Sequence, residues 1–248
     1  MASMAPRRIQ PTVSGVASPC HAAAAPSNGR RAISLATLGT ALASAAKPRP
    51  AGAQATAAPI RLLALGDSLT AGYGLPAGQG FVPRLEAALK ARGRSVRVLD
   101  AGVSGDTTAG GLARIDWALA EQPQAALVEL GANDGLRGLP PKDSRANLAS
   151  ILDRLKARNV PTLLAGMVAP PNLGTDYGRE FLATFADLAR ERPELVFYPF
   201  FLEGVAADPA LNQADGLHPN QRGVEEVVRR ILPAVETLLA RVPAAPAG

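Results

Sequence analysis

The chain has 248 residues, with 26 Lys and Arg against 21 Asp and Glu and a formal net charge of +5. The positive excess sits in the first 55 residues, which hold no Asp or Glu and six cations: Arg7, Arg8, Arg30, Arg31, Lys47 and Arg49. Taking those six from 26 leaves 20 basic against 21 acidic groups in the remainder, with no basic patch interleaved with aromatics, so nucleic acid is excluded as an expected partner.

The first segment has the order of an export leader. Arg30-Arg31 precede an uncharged stretch, Ala32 to Ala46, rich in Ala and Leu, and Ala53-Gln54-Ala55 then places small residues where a signal peptidase reads. Paired arginines before Ala32-Ile33-Ser34-Leu35 resemble a twin-arginine signal. The apolar run is too short and too alanine-rich for a membrane span, so no stable membrane insertion of the mature domain is expected. Residues 1–55 are therefore expected to be an export signal, with cleavage near Ala55 and a periplasmic or secreted product. An Ala/Pro-rich disordered extension and an organellar transit peptide are the alternatives. The stretch before Gly29 is longer than such a leader needs, which leaves room for a start downstream of Met1. The one cysteine, Cys20, lies in this segment, so the remainder uses neither disulfide nor thiol chemistry.

Residues 56–248, about 190 in all, suffice for one domain with its own core. Ile60 to Leu65 is a short apolar run bounded by Pro59 and Gly66 and predicts a buried strand. Phe81, Val82, Leu85, Ala88 and Leu89 share a helical face, predicting a helix to about Arg92 that Gly93 ends. Val96, Val98 and Leu99 predict a second strand, closed by Asp100-Ala101-Gly102. A helix carrying Leu112, Ile115 and Leu119 follows, to about Gln122 before Pro123. Ala125 to Leu130 is the third predicted strand. Leu148, Ile151, Leu152 and Leu155 mark a helix with Asp143 or Ser144 as its expected cap. Thr162 to Val168 is the fourth strand, broken by Pro170-Pro171. A helix over about Arg179 to Arg192, a short strand Leu195 to Tyr198 and a final helix Asn220 to Ala240 complete the chain, with a kink expected at Pro233. Strands alternating with helices predict an α/β fold, a three-layer α/β/α sandwich around a mainly parallel sheet of about five strands.

The first three strands end in polar, glycine-containing turns: Gly66-Asp67-Ser68, Gly102 to Thr108, and Gly131-Ala132-Asn133-Asp134. In a parallel sheet those turns share one edge, where open α/β sheets bind ligands. Ser68 there meets the needs of a nucleophile, while the Gly105 N–H and the Asn133 amide are candidate donors to a developing oxyanion. Each also has an ordinary reading, Ser68 and Asn133 as helix caps and Gly105 as a turn glycine. Asp215 and His218 stand three apart before the last helix, a spacing at which a carboxylate reaches an imidazole. The only other histidine is His21 in the leader, so a histidine base for Ser68 within the mature chain is His218. Asp67, Asp106 and Asp134 sit in turns with one histidine to share, a set that does not suggest a metal site.

These blocks resemble the SGNH hydrolases, also called the GDSL esterase/lipase family. Gly66-Asp67-Ser68-Leu69, Gly105 within Ser104 to Leu112, Gly131-Ala132-Asn133-Asp134 and Asp215-Gly216-Leu217-His218 match its four motifs in order, over roughly Ile60 to Ala240. Glu129 to Gly138, Asn172 to Phe181 and Pro199 to Glu203 are similar to its arylesterase, thioesterase I, protease I and lysophospholipase branch. Ala132 stands where many relatives have glycine. The resemblance implies a flavodoxin-like sandwich and a triad of Ser68, Asp215 and His218. It also implies an oxyanion hole from the Ser68 and Gly105 N–H groups and the Asn133 side chain, with no metal and no cofactor. The expected substrate is a small-molecule acyl ester or thioester, in a pocket walled partly by Gly135 to Pro141 and Ala169 to Gly178 with Leu136, Leu139 and Leu173. A carbohydrate O-deacetylase on the same fold and a non-catalytic binding module are the other readings.

Overall fold

The structure, a computed structural model, describes residues 58–243, so the expected leader lies outside the described residues. Five strands, β1 (Ile60–Gly66), β2 (Val96–Gly102), β3 (Ala125–Glu129), β4 (Thr162–Ala165) and β5 (Val196–Tyr198), form one parallel sheet in the order β2-β1-β3-β4-β5. The helices are α1 (Ser68–Ala71), α2 (Phe81–Ala91), α3 (Thr108–Leu119), α4 (Ala132–Leu136), α5 (Pro141–Ala157), α6 (Thr175–Glu191) and α7 (Gln221–Leu239). α2 packs on α7 and β2, while α3, α5 and α6 pack in succession over β1 and β4. This is the expected α/β/α sandwich. Inner strands covered on both faces read as continuous apolar runs: Leu62 to Leu65 and all of β3 are buried. β2, at the edge, alternates instead, with Val96, Val98 and Ala101 buried and Arg97 and Asp100 exposed.

The connections β1–β2 and β2–β3 run in opposite senses across the sheet. The carboxyl ends of β1 and β3 therefore flank the point where strand order reverses, the place where such sheets form a crevice. The register sets Gly66 beside both Gly102 and Glu129, so the turns after the first three strands start level with one another.

Several predicted boundaries shift. α5 begins at Pro141 after Pro140, with no side-chain cap, because the expected cap Ser144 is drawn inward to donate to Asp134 Oδ1 at 2.9 Å. α3 stops at Leu119, and Gln122 adopts a left-handed φ of 52° before Pro123. β4 ends at Ala165 because its partner β5 ends at Tyr198, and Met167 to Pro170 leave the sheet. α6 starts at Thr175, earlier than Arg179. α7 continues through Pro233: an interior proline costs about 3 kcal/mol, which the buried face of Val224, Val228, Ile231, Val235 and Leu238 offsets.

The end of β2 and the helix α1 touch through bare backbone. A Cβ on Gly102 would lie 2.8 Å from Ala71 Cα and closer to its nitrogen. Gly102→Ala is expected to cost about 1–3 kcal/mol by overpacking, read as a lowered urea midpoint, and an unchanged midpoint would contradict the close approach.

Candidate active site

β1 runs straight into α1, a single turn that Asp67 caps by accepting the Leu69 N–H on Oδ1 at 2.9 Å. Asp67 and not Ser68 is thus the cap, and Ser68 becomes the first helical residue. Gly72, in the left-handed region at φ 73°, closes the turn. Ser68 Oγ lies 2.9 Å from His218 Nε2, and His218 Nδ1 lies 2.7 Å from Asp215 Oδ2. The three sequence-predicted residues therefore form one contiguous hydrogen-bonded chain across 150 positions. Asp215 Oδ1 accepts the His218 and Leu217 N–H groups at 3.0 and 2.9 Å. Those bonds, followed by the imidazole contact, pull its carboxyl down to about 2.

The histidine loop is tied to the serine turn by Gln213. Its Nε2 donates to Tyr73 O at 2.7 Å and Pro219 O at 3.0 Å. Gln213 N–H bonds His218 O at 2.7 Å, and the Tyr73 ring sits 4.7 Å from the imidazole. Neither Gln213 nor Tyr73 carries a sequence signal for this role, because the contact spans 140 residues.

Gly105 occupies the turn after β2 at φ 86°, where a side chain is disfavoured. Its carbonyl accepts from Arg137 Nη2 at 2.9 Å, and its N–H has no acceptor among the described residues. Asn133, in α4, donates through Nδ2 to Asp106 O at 3.0 Å and to Asp67 Oδ2 at 3.2 Å. The amide thus bridges the serine turn and the glycine turn, and Ser68, Asn133 and His218 line one cavity of about 560 Å³.

Three supports, two of them buried and Arg114 partly so, have roles that no local sequence pattern marks. Asp134 accepts the Thr108 N–H and hydroxyl at 2.8 and 2.6 Å and the Ser144 hydroxyl, clamping α3, α4 and α5 together. Arg114 grips Asp106 Oδ2 at 2.6 Å, Ala101 O at 2.8 Å and Gly66 O at 2.8 Å, joining the ends of β1 and β2 to the glycine turn. Glu129 lies beneath α1 with Oε2 accepting from Thr70 Oγ1 at 2.7 Å. Its sequence signal is a charged residue at the end of an apolar strand. Asp67, Asp106 and Asp134 are thus each engaged by protein donors.

The cavity wall differs in part from expectation. Leu136 and Ala169 to Pro171 line it, but Leu139 and Leu173 do not. Met167, Val168, Phe200, Leu202, Ala206, Ala207 and Leu217 also line it, Phe200 to Ala207 coming from the segment after β5. Leu173 packs beside Gly138 instead, and Leu139 O accepts the Tyr177 hydroxyl at 2.8 Å. No Asp, Glu, Lys or Arg among the described residues lines the cavity.

Residues 64–225 match the model of the GDSL-like lipase/acylhydrolase family. The chain is 42% identical over 185 residues to the esterase TesA of Pseudomonas aeruginosa, covering 74% of this chain and 91% of that one. It is 41% identical over 166 residues to thioesterase 1/protease 1/lysophospholipase L1 of Escherichia coli K12, covering 66% and 78%. The crystal structure of AlinE4, an SGNH-hydrolase family esterase, superposes with a TM-score of 0.61 at 50% identity, over 75% of this chain and 98% of its own.

Burial pushes the Asp67 carboxyl up to about 6, against the pull of the Leu69 N–H and the Asn133 amide. A raised folded value means that the native state holds this proton more tightly than the unfolded chain. The stability contribution is whole below the ordinary value of 3.8 and is lost as pH rises through about 6. Relative to the parent, Asp67→Asn should therefore gain unfolding free energy between pH 4 and 7. Parallel pH curves of the two urea-derived free energies would refute the assignment.

Proposed function

The chain belongs to the GDSL-like lipase/acylhydrolase family and is a serine hydrolase acting on ester bonds, and on that premise we propose that Ser68, His218 and Asp215 hydrolyse acyl esters and thioesters through an acyl-serine intermediate. The observation that carries the reading is the unbroken chain Asp215–His218–Ser68, with links of 2.7 and 2.9 Å, opening onto an uncharged cavity.

His218 Nε2 takes the Ser68 proton as Oγ attacks the acyl carbon. The carbonyl oxygen becomes an oxyanion that the Ser68 and Gly105 N–H groups and the Asn133 amide receive. Asn133 offers the hydrogen now on Asp67 Oδ2, the longer of its two bonds at 3.2 Å. The tetrahedral adduct collapses, the carbon–oxygen or carbon–sulfur bond breaks, and the leaving alcohol or thiol takes the proton from His218. Water then gives a proton to His218 while its oxygen attacks the acyl-serine, and the second collapse returns that proton to Oγ and releases the acid. Asp215, ionised throughout, fixes the Nδ1–H tautomer and offsets the imidazolium charge.

The cavity supports an acyl substrate. Leu136, Met167, Val168, Phe200, Leu202 and Leu217 suit a short-to-medium aliphatic chain, and the wall offers few polar groups to a sugar ring. This weakens the carbohydrate deacetylase reading. We also infer from the acid-free leader that the chain is exported and that its mature domain begins near Thr56. Among the described residues no helix is long and apolar enough to cross a membrane.

Ser68→Ala and His218→Ala should each lower kcat by roughly 10⁴-fold or more, since triad members act as a unit. Asp215→Ala should cost less, because it orients and does not react, and Asn133→Ala about 10²–10³. The assay is a panel of p-nitrophenyl esters, acyl-CoAs and acetylated sugars. Near-parental turnover by folded His218→Ala ends the triad reading, and turnover of acetylated sugars alone ends the acyl one. N-terminal sequencing of protein from its native host should begin near Thr56; an uncut chain would refute export.

A further inference from the structure

Directly beneath the serine turn lies a carboxyl that the proposed chemistry does not use. Glu129, the last residue of β3, has no solvent exposure. The parallel ladder pairs it with Gly66, the last residue of β1, so its side chain sits where the chain turns into α1. Oε2 accepts the Thr70 hydroxyl at 2.7 Å and the Asp67 N–H at 3.4 Å, one bond on each flank of Ser68. The position is built for it: a Cβ on Gly66 would lie 2.5 Å from Oε2 and nearer still to Thr70 Oγ1. Oε1 has no hydrogen-bond partner.

The surroundings decide the charge state. An ionised oxygen without a donor is costly in a site that excludes water, whereas a carboxylic acid is tolerated there. The charged group that acts on it is the like-charged Asp67, and the nearby guanidinium of Arg114 is spent on Asp106 and two backbone carbonyls. Burial first, and then the Asp67 charge, hold the Glu129 carboxyl well above the usual carboxylate range.

We propose that Glu129 is a positioning residue for Ser68, a buried carboxyl that anchors both flanks of the serine turn and so holds Oγ at bonding distance from His218. This rests on the reading of Ser68 as nucleophile. It assigns Glu129 no contact with substrate. Its effect is on geometry, where a displacement of about 1 Å at the reacting atom can cost 10²-fold in rate.

The test compares Glu129→Gln, Glu129→Leu, Thr70→Val, Thr70→Ser and Ser68→Ala on a short-chain p-nitrophenyl ester, with circular dichroism to confirm folding. Glu129→Gln keeps an uncharged acceptor and should hold kcat within about 5-fold, with its pH profile unmoved. Folded Glu129→Leu should lose roughly 10–100-fold in kcat with KM within about 3-fold. Thr70→Val should lower kcat in the same sense and Thr70→Ser should not, which decides the matter if Glu129→Leu fails to fold. Parental kcat in Glu129→Leu or Thr70→Val overturns the inference, as does a Glu129→Gln enzyme as slow as Glu129→Leu or shifted in pH profile. Ser68→Ala separates the two readings: activity retained there refutes Ser68 as nucleophile. An inactive Ser68→Ala beside a fully active Glu129→Leu refutes only the positioning role.

Discussion

The pairing of β1 with β3, Gly66 beside Glu129, is the constraint on which the rest of the site depends. It sets the serine turn and the asparagine turn next to each other at the point where strand order reverses. A shift of one residue in that register would carry Glu129 away from Thr70 and Asn133 away from Asp67 together. Register is strongly specified here because both strands are buried on both faces, so a slip would reverse an entire set of apolar side chains. Hydrophobic packing of ordinary residues such as Leu62, Leu65, Leu127 and Val128 thereby governs the placement of the polar ones.

Above that sheet edge the polar groups form a bracing set in which almost every hydrogen-bonding group is used. Arg114 ties β1 and β2 to Asp106, Asp106 O receives Asn133, Asn133 reaches Asp67, and Asp67 caps the serine helix. Asp134 fastens the same region from behind through Thr108 and Ser144. Buried and partly buried polar groups of this kind are costly unless satisfied, and when satisfied they restrict the turns to one arrangement. That is the requirement for a preorganised site, in which donors stand in place before charge develops. The histidine loop is held differently. It lies nearer the surface and is latched by Gln213 and the ring of Tyr73.

Much of this was legible in the sequence, and for an identifiable reason. Ser68, Gly105, Asn133, Asp215 and His218 sit in or just after short turns whose glycines and polar residues mark them locally, Ser68 and Asn133 at the start of the one-turn helices α1 and α4. What was not legible depended on partners distant in sequence. Ser144 reads as a helix cap until Asp134 claims its hydroxyl, and the strand Thr162 to Val168 reads longer than it is because β5 is short. The cavity wall from Phe200 to Ala207 belongs to an irregular segment with no period and no motif. Glu129 reads in sequence as part of an apolar strand, and nothing local shows that a glycine and a threonine from β1 and α1 leave room for it.

Three carboxyl groups at this edge show how environment divides one functional group into different states. Asp215, half-exposed and receiving two backbone N–H groups, stays ionised to about pH 2 beside the imidazole it must balance. Asp67, buried, is pushed up to about 6, and above that its charge is spread over the Leu69 N–H and the Asn133 amide. Glu129, fully buried beside Asp67, is held above the usual range by burial and by Asp67 itself. The order has a consequence for the proposed reaction. An oxyanion forming near the Ser68 N–H would be opposed by any full negative charge directly beneath the serine turn, where little water screens it. Placing the permanent charge at the rim, on the far side of His218, stabilises the imidazolium. Leaving the acid beneath Ser68 uncharged keeps a second negative charge from joining that of Asp67 at the serine turn, which limits the opposition the oxyanion meets.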